Sequence, residues 1–423
     1  MRPSSVAMDL SPLRASRDYR LFFAGFLGAL FGTLMTAVAV SVQVYEMTGS
    51  PTQIGLTALA RAAPMVAGLL AGGVLADRYD RRALMLWTRL PLAGVAAALA
   101  VNALLPEPRL WVVYAATAVT GLLAGLGGPA LLAATPALVG TERLAAAGAL
   151  TSASTQLAAL AAPAVGGLLV AGPGPAACYA VDAAGYLVFS LAMLFVRPLP
   201  PAHAAPDRGV RQAFAAVGAG LRFVRRDRLL LGMMLVGAAA MVFTMPQALY
   251  PVLADRQFGS PGVTGLLYAA PALGALLGAA ASGWTGRVRA TGYVLVGAVL
   301  LWGGALVGFG LSPALPAAVA FLALAGLGDF VSETLRGALL QHGTPDELRG
   351  RVSGLWMVQA IVSPALGNAA VGFLADLTDP RTAVVSGGAV CVVAAAAVAV
   401  AFPALRRATL AAEPADRQGA ARR

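Results

Sequence analysis

The stretch "GGVLADRYDRR", residues 72–82, carries five charged residues among the six from Asp77 to Arg82, directly after an apolar run. Only 12% of the whole chain is Asp, Glu, Lys or Arg. A knot of charge after so apolar a run reads as a short turn between two membrane spans, and the rest of the chain divides in the same way. Of the 423 residues, 59% are hydrophobic and mean hydropathy is +0.77, more apolar surface than one soluble core can hide.

A membrane helix needs about 20 mainly apolar residues. Twelve such segments can be cut, at approximately 21–45, 53–76, 83–105, 110–135, 142–171, 176–197, 228–254, 261–284, 290–311, 314–340, 348–376 and 381–405. The first follows a polar stretch bearing Arg2, Arg14, Arg17 and Arg20; it is too long for a signal-peptide core, lacks a cleavage site, and reads as a retained span.

The net charge of +11 comes from arginine alone, because the chain has no Lys. With both termini in the cytoplasm, 24 arginines fall in the terminal segments and cytoplasmic loops, Arg61, Arg89 and Arg336 within helices, and only Arg109, Arg256 and Arg381 outside. That asymmetry predicts the orientation and accounts for the charge through the anionic inner leaflet, without nucleic acid.

The longest polar interruption, residues 197–228, divides the chain into halves. Within it Phe214, Val217, Leu221 and Val224 recur at helical spacing opposite Arg211, Arg222 and Arg225, which predicts an amphipathic helix on the membrane surface, either a tether coordinating the halves or a passive linker. A shift of 207 residues superposes Ala62-Ala63-Pro64 on Ala269-Ala270-Pro271, Leu69-Leu70 on Leu276-Leu277 and Arg82 on Arg289; a shift of 201 superposes Pro163 and Gly166 on Pro364 and Gly367. Matching prolines and glycines in two six-helix halves suggest a duplicated transporter. The expected fold is an all-α membrane protein with twelve transmembrane helices in two pseudo-symmetric six-helix bundles, residues 1–198 and 228–405, joined by a cytoplasmic linker at 199–227 and followed by a cytoplasmic tail at 406–423.

In the opening stretch, Gly73, Leu75, Asp77, Arg78, Arg81 and Arg82 fall where the loop signature of the major facilitator superfamily places them, with Asp80 where that signature has Gly; the chain resembles that superfamily. The resemblance implies a gate in which Asp77 faces the start of span eleven, near Leu348, when the cytoplasmic side is closed; the alternative is that the charges only anchor topology. "AAPAVGGLL" in span five resembles the antiporter signature at Pro163, Gly166 and Gly167, with Ala162 in place of its first Gly, and implies export. "NALLPEPRL" (102–110), "ALLAATPALVG" (130–140), "LYPVLAD" (249–255), "GLLYAAPALGALLGA" (265–279) and "TPDELRGRVSGLW" (344–356) resemble the enterobactin-exporter branch. Together they imply a proton-driven antiporter of the cytoplasmic membrane exporting a siderophore by alternating access. The alternative within the superfamily is a multidrug or macrolide efflux pump.

The driving force is expected to be an ion gradient, since a chain without Lys has no Walker-type loop. One proton crossing roughly 200 mV supplies about 4 to 5 kcal/mol, a substrate gradient of order a thousandfold. Asp329, Glu333 and Arg336 share one face of span ten; burial favours a neutral carboxyl and Arg336 a charged one, so the trio either carries the proton or neutralises itself structurally. Asp182 in "CYAVDAAGY" is a further proton-coupling candidate, or a packing residue. Arg61 either pairs with an acid, binds an ionised catechol, or has a structural role. Gln43, Gln247, Gln359 and Asn368 are candidates to line the cavity, and Tyr250, Tyr268 and Trp356 to stack on substrate or to anchor helix ends at the interface.

No enzyme, cofactor or metal site is expected. His203 and His342 both lie in loops, Cys178 and Cys391 sit singly in apolar segments, and "GLGG" at 125–128 follows no strand. A passive channel differs in lacking saturation and trans-stimulation. The expected partners are a small-molecule substrate, protons and the bilayer, and the chain is expected to act as a monomer.

Overall fold

The computed structural model describes residues 9–201, 210–281 and 290–409. Arg2, His203, Arg289 and the tail beyond residue 409 lie outside these, as do the side chains of Arg211, Phe214 and Val217. In chain order the α-helices are α1 (Ser11–Ala15), α2 (Arg17–Thr48), α3 (Pro51–Arg78), α4 (Arg81–Leu104), α5 (Leu110–Val139), α6 (Leu144–Ala171), α7 (Pro175–Leu194), α8 (Val210–Arg226), α9 (Arg228–Val242), α10 (Tyr250–Arg256), α11 (Val263–Ala280), α12 (Thr291–Leu311), α13 (Leu315–Gly343), α14 (Asp346–Leu377), α15 (Pro380–Ala401) and α16 (Pro403–Arg406). With α9 and α10 taken as one interrupted span, twelve helices among the described residues are long and apolar enough to cross a membrane.

Local chemistry sets the ends. Gly49 adopts φ 63° after α2, a left-handed turn that glycine takes without steric cost. Ser50 then caps α3, and Asp80, Asp227 and Asp379 cap α4, α9 and α15 with their side chains.

The expectation of one continuous helix over 228–254 is corrected. Helix α9 stops at Val242, residues 243–245 are irregular, and Pro246–Leu249 forms a 3-10 turn before α10. Pro246 disfavours helix at Met245, which is extended at φ −93°, ψ 93°. Polar side chains satisfy the break: Asn368 Oδ1 accepts from Ala248 N at 2.9 Å, and Trp302 Nε1 donates to Thr244.

Helices α2–α7 form one bundle and α9–α15 the other. Pro64 and Pro163 in the first and Pro271 and Pro364 in the second are all internal to helices. The hydrophobic cores reveal the conformation. Near the face that carries the α2 start and α3 end, hereafter the terminal face, the first bundle has a core of its own built on Tyr19, Phe22, Met85 and Phe189. Toward the opposite face its core built on Met35, Val38 and Tyr179 takes in Ala248, with Tyr268 packed on it, both from the second bundle. The halves are therefore fused at the opposite face. Glycines permit it: a Cβ on Gly167 of α6 would collide with Gly265 of α11, and one on Gly372 of α14 with Pro51 and Thr52 at the start of α3. Helix α8 lies against both α3 and α14, with Gly220 close to the Arg351 carbonyl and Val224 buried in the second core.

Candidate functional site

Where the fused end gives way to the middle of the molecule, a cavity of about 350 Å³ opens between the bundles. Helices α2, α3, α5 and α7 wall it on one side, and the Pro246–Leu249 turn, α11 and α14 on the other. Arg61 from α3 and Asp182 from α7 both border it, with Thr33, Thr36 and Thr57 beside them and Gln247, Tyr268 and Asn368 facing from the second bundle.

Asp182 is 4% exposed. Gly32 brings α2 so close that a Cβ there would strike the Asp182 backbone. That approach places Thr33 Oγ1 within donating distance of Asp182 Oδ1, at 3.3 Å, and within 2.7 Å of the Tyr186 hydroxyl. Arg61 Nε and Thr36 Oγ1 are buried without hydrogen-bond partners. Unpartnered buried polar atoms are costly, and here two of them sit at one cavity.

Of the candidates for the substrate cavity, Arg61, Gln247, Tyr268 and Asn368 line it. Gln43, Tyr250 and Gln359 are not among its lining residues. Gln43 lies behind the wall, accepting from Tyr179 OH at 2.7 Å. Tyr250 is buried edge-on behind Tyr268, ring centroids 5.0 Å apart. Gln359 turns away to donate to the Met234 carbonyl at 2.7 Å. Trp356 lines a different cavity, about 590 Å³, with Glu333, Gln341, Ser152 and Gln156.

The span-ten trio is spread out. Glu333 is exposed into that second cavity, whereas Arg336 is buried with its guanidinium 5.9 Å from the Trp356 ring centroid and close against Gly237. No ion pair within 4.0 Å joins Arg336 to Asp329 or Glu333. The hydrogen bond between Asp182 and the Thr33 hydroxyl of α2 is not visible in the sequence, whose trace of it is a threonine inside an apolar helix.

The charged loop that opened the sequence divides its labour. Asp80 Oδ1 accepts from Ala83 N at 2.9 Å and Oδ2 from Leu199 N at 2.6 Å, so this Asp does the local work of a cap at φ −56° and no glycine is needed. Arg82 donates to the carbonyls of Met193 and Leu194 at 2.7 and 2.8 Å, closing the C-terminus of α7. Arg81 donates to the Ala133 carbonyl at 3.5 Å. Asp77 stands exposed at the end of α3; the contact expected between it and the start of span eleven is not made in this conformation. Pro163 and Gly167 lie in the α6–α11 seam, and Gly166 packs on Met35.

Two six-helix bundles, fused at one face and enclosing a cavity that both of them line, define a secondary transporter of the major facilitator type. Over residues 7–419 the sequence matches the family described as transmembrane secretion effector, and the chain belongs to that family. It is 36% identical over 388 residues to the enterobactin exporter EntS of Escherichia coli O139:H28, covering 92% of each chain, and equally to that of Shigella boydii serotype 18. Among solved structures, a POT family transporter in complex with 5-aminolevulinic acid matches with a TM-score of 0.74 at 13% identity, covering 92% of this chain and 97% of that one. A bacterial homologue of the lysosomal transporter Spinster, inward-facing and occupied, matches at 0.72 and 16% identity, covering 92% and 98%. These likenesses concern the fold.

Proposed function

We propose that this transporter exports a siderophore of the catecholate class, similar to enterobactin, from the cytoplasm in exchange for protons, by alternating access, as a monomer in the cytoplasmic membrane with both termini inside. The observation that carries the reading is the central cavity, where a guanidinium and a carboxylate from one half face polar groups of the other. Arg61 is the anchor for the substrate: its Nε lacks a partner, and a guanidinium attracts both an ionised hydroxyl and an aromatic face. Asp182, on the same cavity, is the first candidate for the exchanged proton, and Asp329 with Glu333 the second; a shared cavity lets proton and substrate compete for one site. The arginine bias supports a cytoplasmic terminal face, toward which the conformation opens, and the relatives named as enterobactin exporters support the substrate class.

The test is efflux under iron starvation in cells lacking the gene. A siderophore retained inside, and released when the gene is restored, supports the reading. Unchanged siderophore release together with raised sensitivity to an unrelated apolar drug overturns the substrate and leaves a multidrug or macrolide pump.

A further inference from the structure

The loop sequence at the end of α3 occurs twice. "GVLADRYDRR" (73–82) and "GFLADLTDPR" (372–381) share Gly, Leu, Ala, both Asp and the final Arg, and each ends a membrane helix, α3 or α14, on opposite faces. The second Asp of each copy does the same local work: Asp80 caps α4, and Asp379 caps α15 by accepting from Arg381 N and Thr382 N, both at 3.0 Å. The helix starts are duplicated as well, as Gly49-Ser50-Pro51-Thr52-Gln53 and Gly343-Thr344-Pro345-Asp346-Glu347. Ser50 and Thr344 hold the same extended backbone, φ −110°, ψ 116° and φ −110°, ψ 123°. Helices α3 and α14 are thus inverted copies of one design.

At the fused face the design is engaged. Asp376 Oδ2 accepts from Ser50 Oγ at 2.6 Å and from Thr52 N at 3.1 Å, a carboxylate seated on the N-terminus of α3. At the terminal face it is disengaged: Asp77 is exposed, and Thr344, 3% exposed, has a hydroxyl without a partner.

We propose that Asp376 is a gating residue of the transport cycle, reciprocal to Asp77. Its bonds to Ser50 and Thr52 hold the fused face shut, and they break when the terminal face closes and Asp77 takes the equivalent place on Thr344 and the backbone N–H of Asp346. The two carboxylates cap their partner helices in turn. This rests on alternating access and not on the substrate, so its test uses the full chain in nanodiscs without substrate.

Spin labels at Leu56 and Thr378 report separation at the fused face. D376N and S50A each raise the separated population roughly two- to fivefold, the factor expected from one charge at a helix N-terminus. D77N and T344V each lower it by a similar factor, T344S leaves it unchanged, and D376N/D77N returns it toward the native value. A purely structural cap at Asp376 predicts lower thermal stability with the distance distribution unmoved. That outcome, or D376N and D77N moving the population in the same direction, overturns the proposal.

Discussion

Among the described residues, two groups of arginine and carboxylate side chains inside the helix bundles are built differently. Arg61 and Asp182 come from different helices, α3 and α7, and meet at a cavity that the second bundle also walls. Asp329, Glu333 and Arg336 come from one helix, α13, with the arginine buried over Trp356 and Glu333 opening on a separate cavity. The first arrangement changes its surroundings whenever the bundles rock against each other. In the second, spacing along one helix fixes how its charges lie relative to one another, and only Glu333 borders a wall supplied by the other bundle. A charge pair can couple to transport only if the transition alters what surrounds it, which ranks Asp182 above Asp329.

Replacing Asp182 by Asn is therefore expected to have the largest effect: uptake driven by an imposed pH gradient in proteoliposomes falls to the level of vesicles without protein, while substrate exchange at equal pH persists. Asp329→Asn retains gradient-driven transport. The reverse pattern breaks the comparison and makes the α13 trio the coupling site. Next, Arg61→Ala weakens substrate binding about tenfold or more, the range for a hydrogen bond to a charged group, with Arg61→Lys recovering part of it; calorimetric titration of the purified chain checks this, and unchanged affinity removes Arg61 from the substrate site.

Why the comparison was not legible in the sequence follows from what periodicity encodes. Spacing places Asp329, Glu333 and Arg336 on one face of one helix, so that group stood out. Asp182 and Thr33 are 149 positions apart, and only the close α2–α7 packing at Gly32 brings them together. The twelve spans were legible because length and apolarity are local properties. The break before Pro246 was not, because residues on both sides are equally apolar and the single sign is the proline. Gln43 and Tyr250 share the same limit: a polar group inside a helix needs a partner, but sequence does not say whether that partner is substrate, Tyr179 or an aromatic neighbour. Asp376 reads in isolation as one more charge at a helix end, and acquires meaning from Ser50 at its side.

The α13 group sharpens the contrast through stability. Arg336→Ala removes a buried cation–aromatic contact of about 0.5–2 kcal/mol and leaves Asp329 without a nearby buried cation. It lowers the unfolding midpoint by a few degrees, with Arg61→Ala leaving it nearly unchanged. Equal shifts mean that Arg61 is as structural as Arg336.

The smallest effect belongs to a charge that faces neither cavity. Asp80 caps α4 and ties Leu199 to the loop, so Asp80→Ala costs about 1 kcal/mol of stability and leaves gradient-driven transport intact. Asp80→Gly restores the residue of the superfamily signature and loses less at the cap, since glycine there costs only a few tenths of a kcal/mol, but it still gives up the bond to Leu199. Thermal unfolding in detergent should order the three as native, Gly, Ala, with equal transport rates. A transport defect in either variant means that the loop conformation set by Asp80 also positions Asp77, three residues earlier in the chain, and the division of the charged loop into a local cap and a free carboxylate then fails.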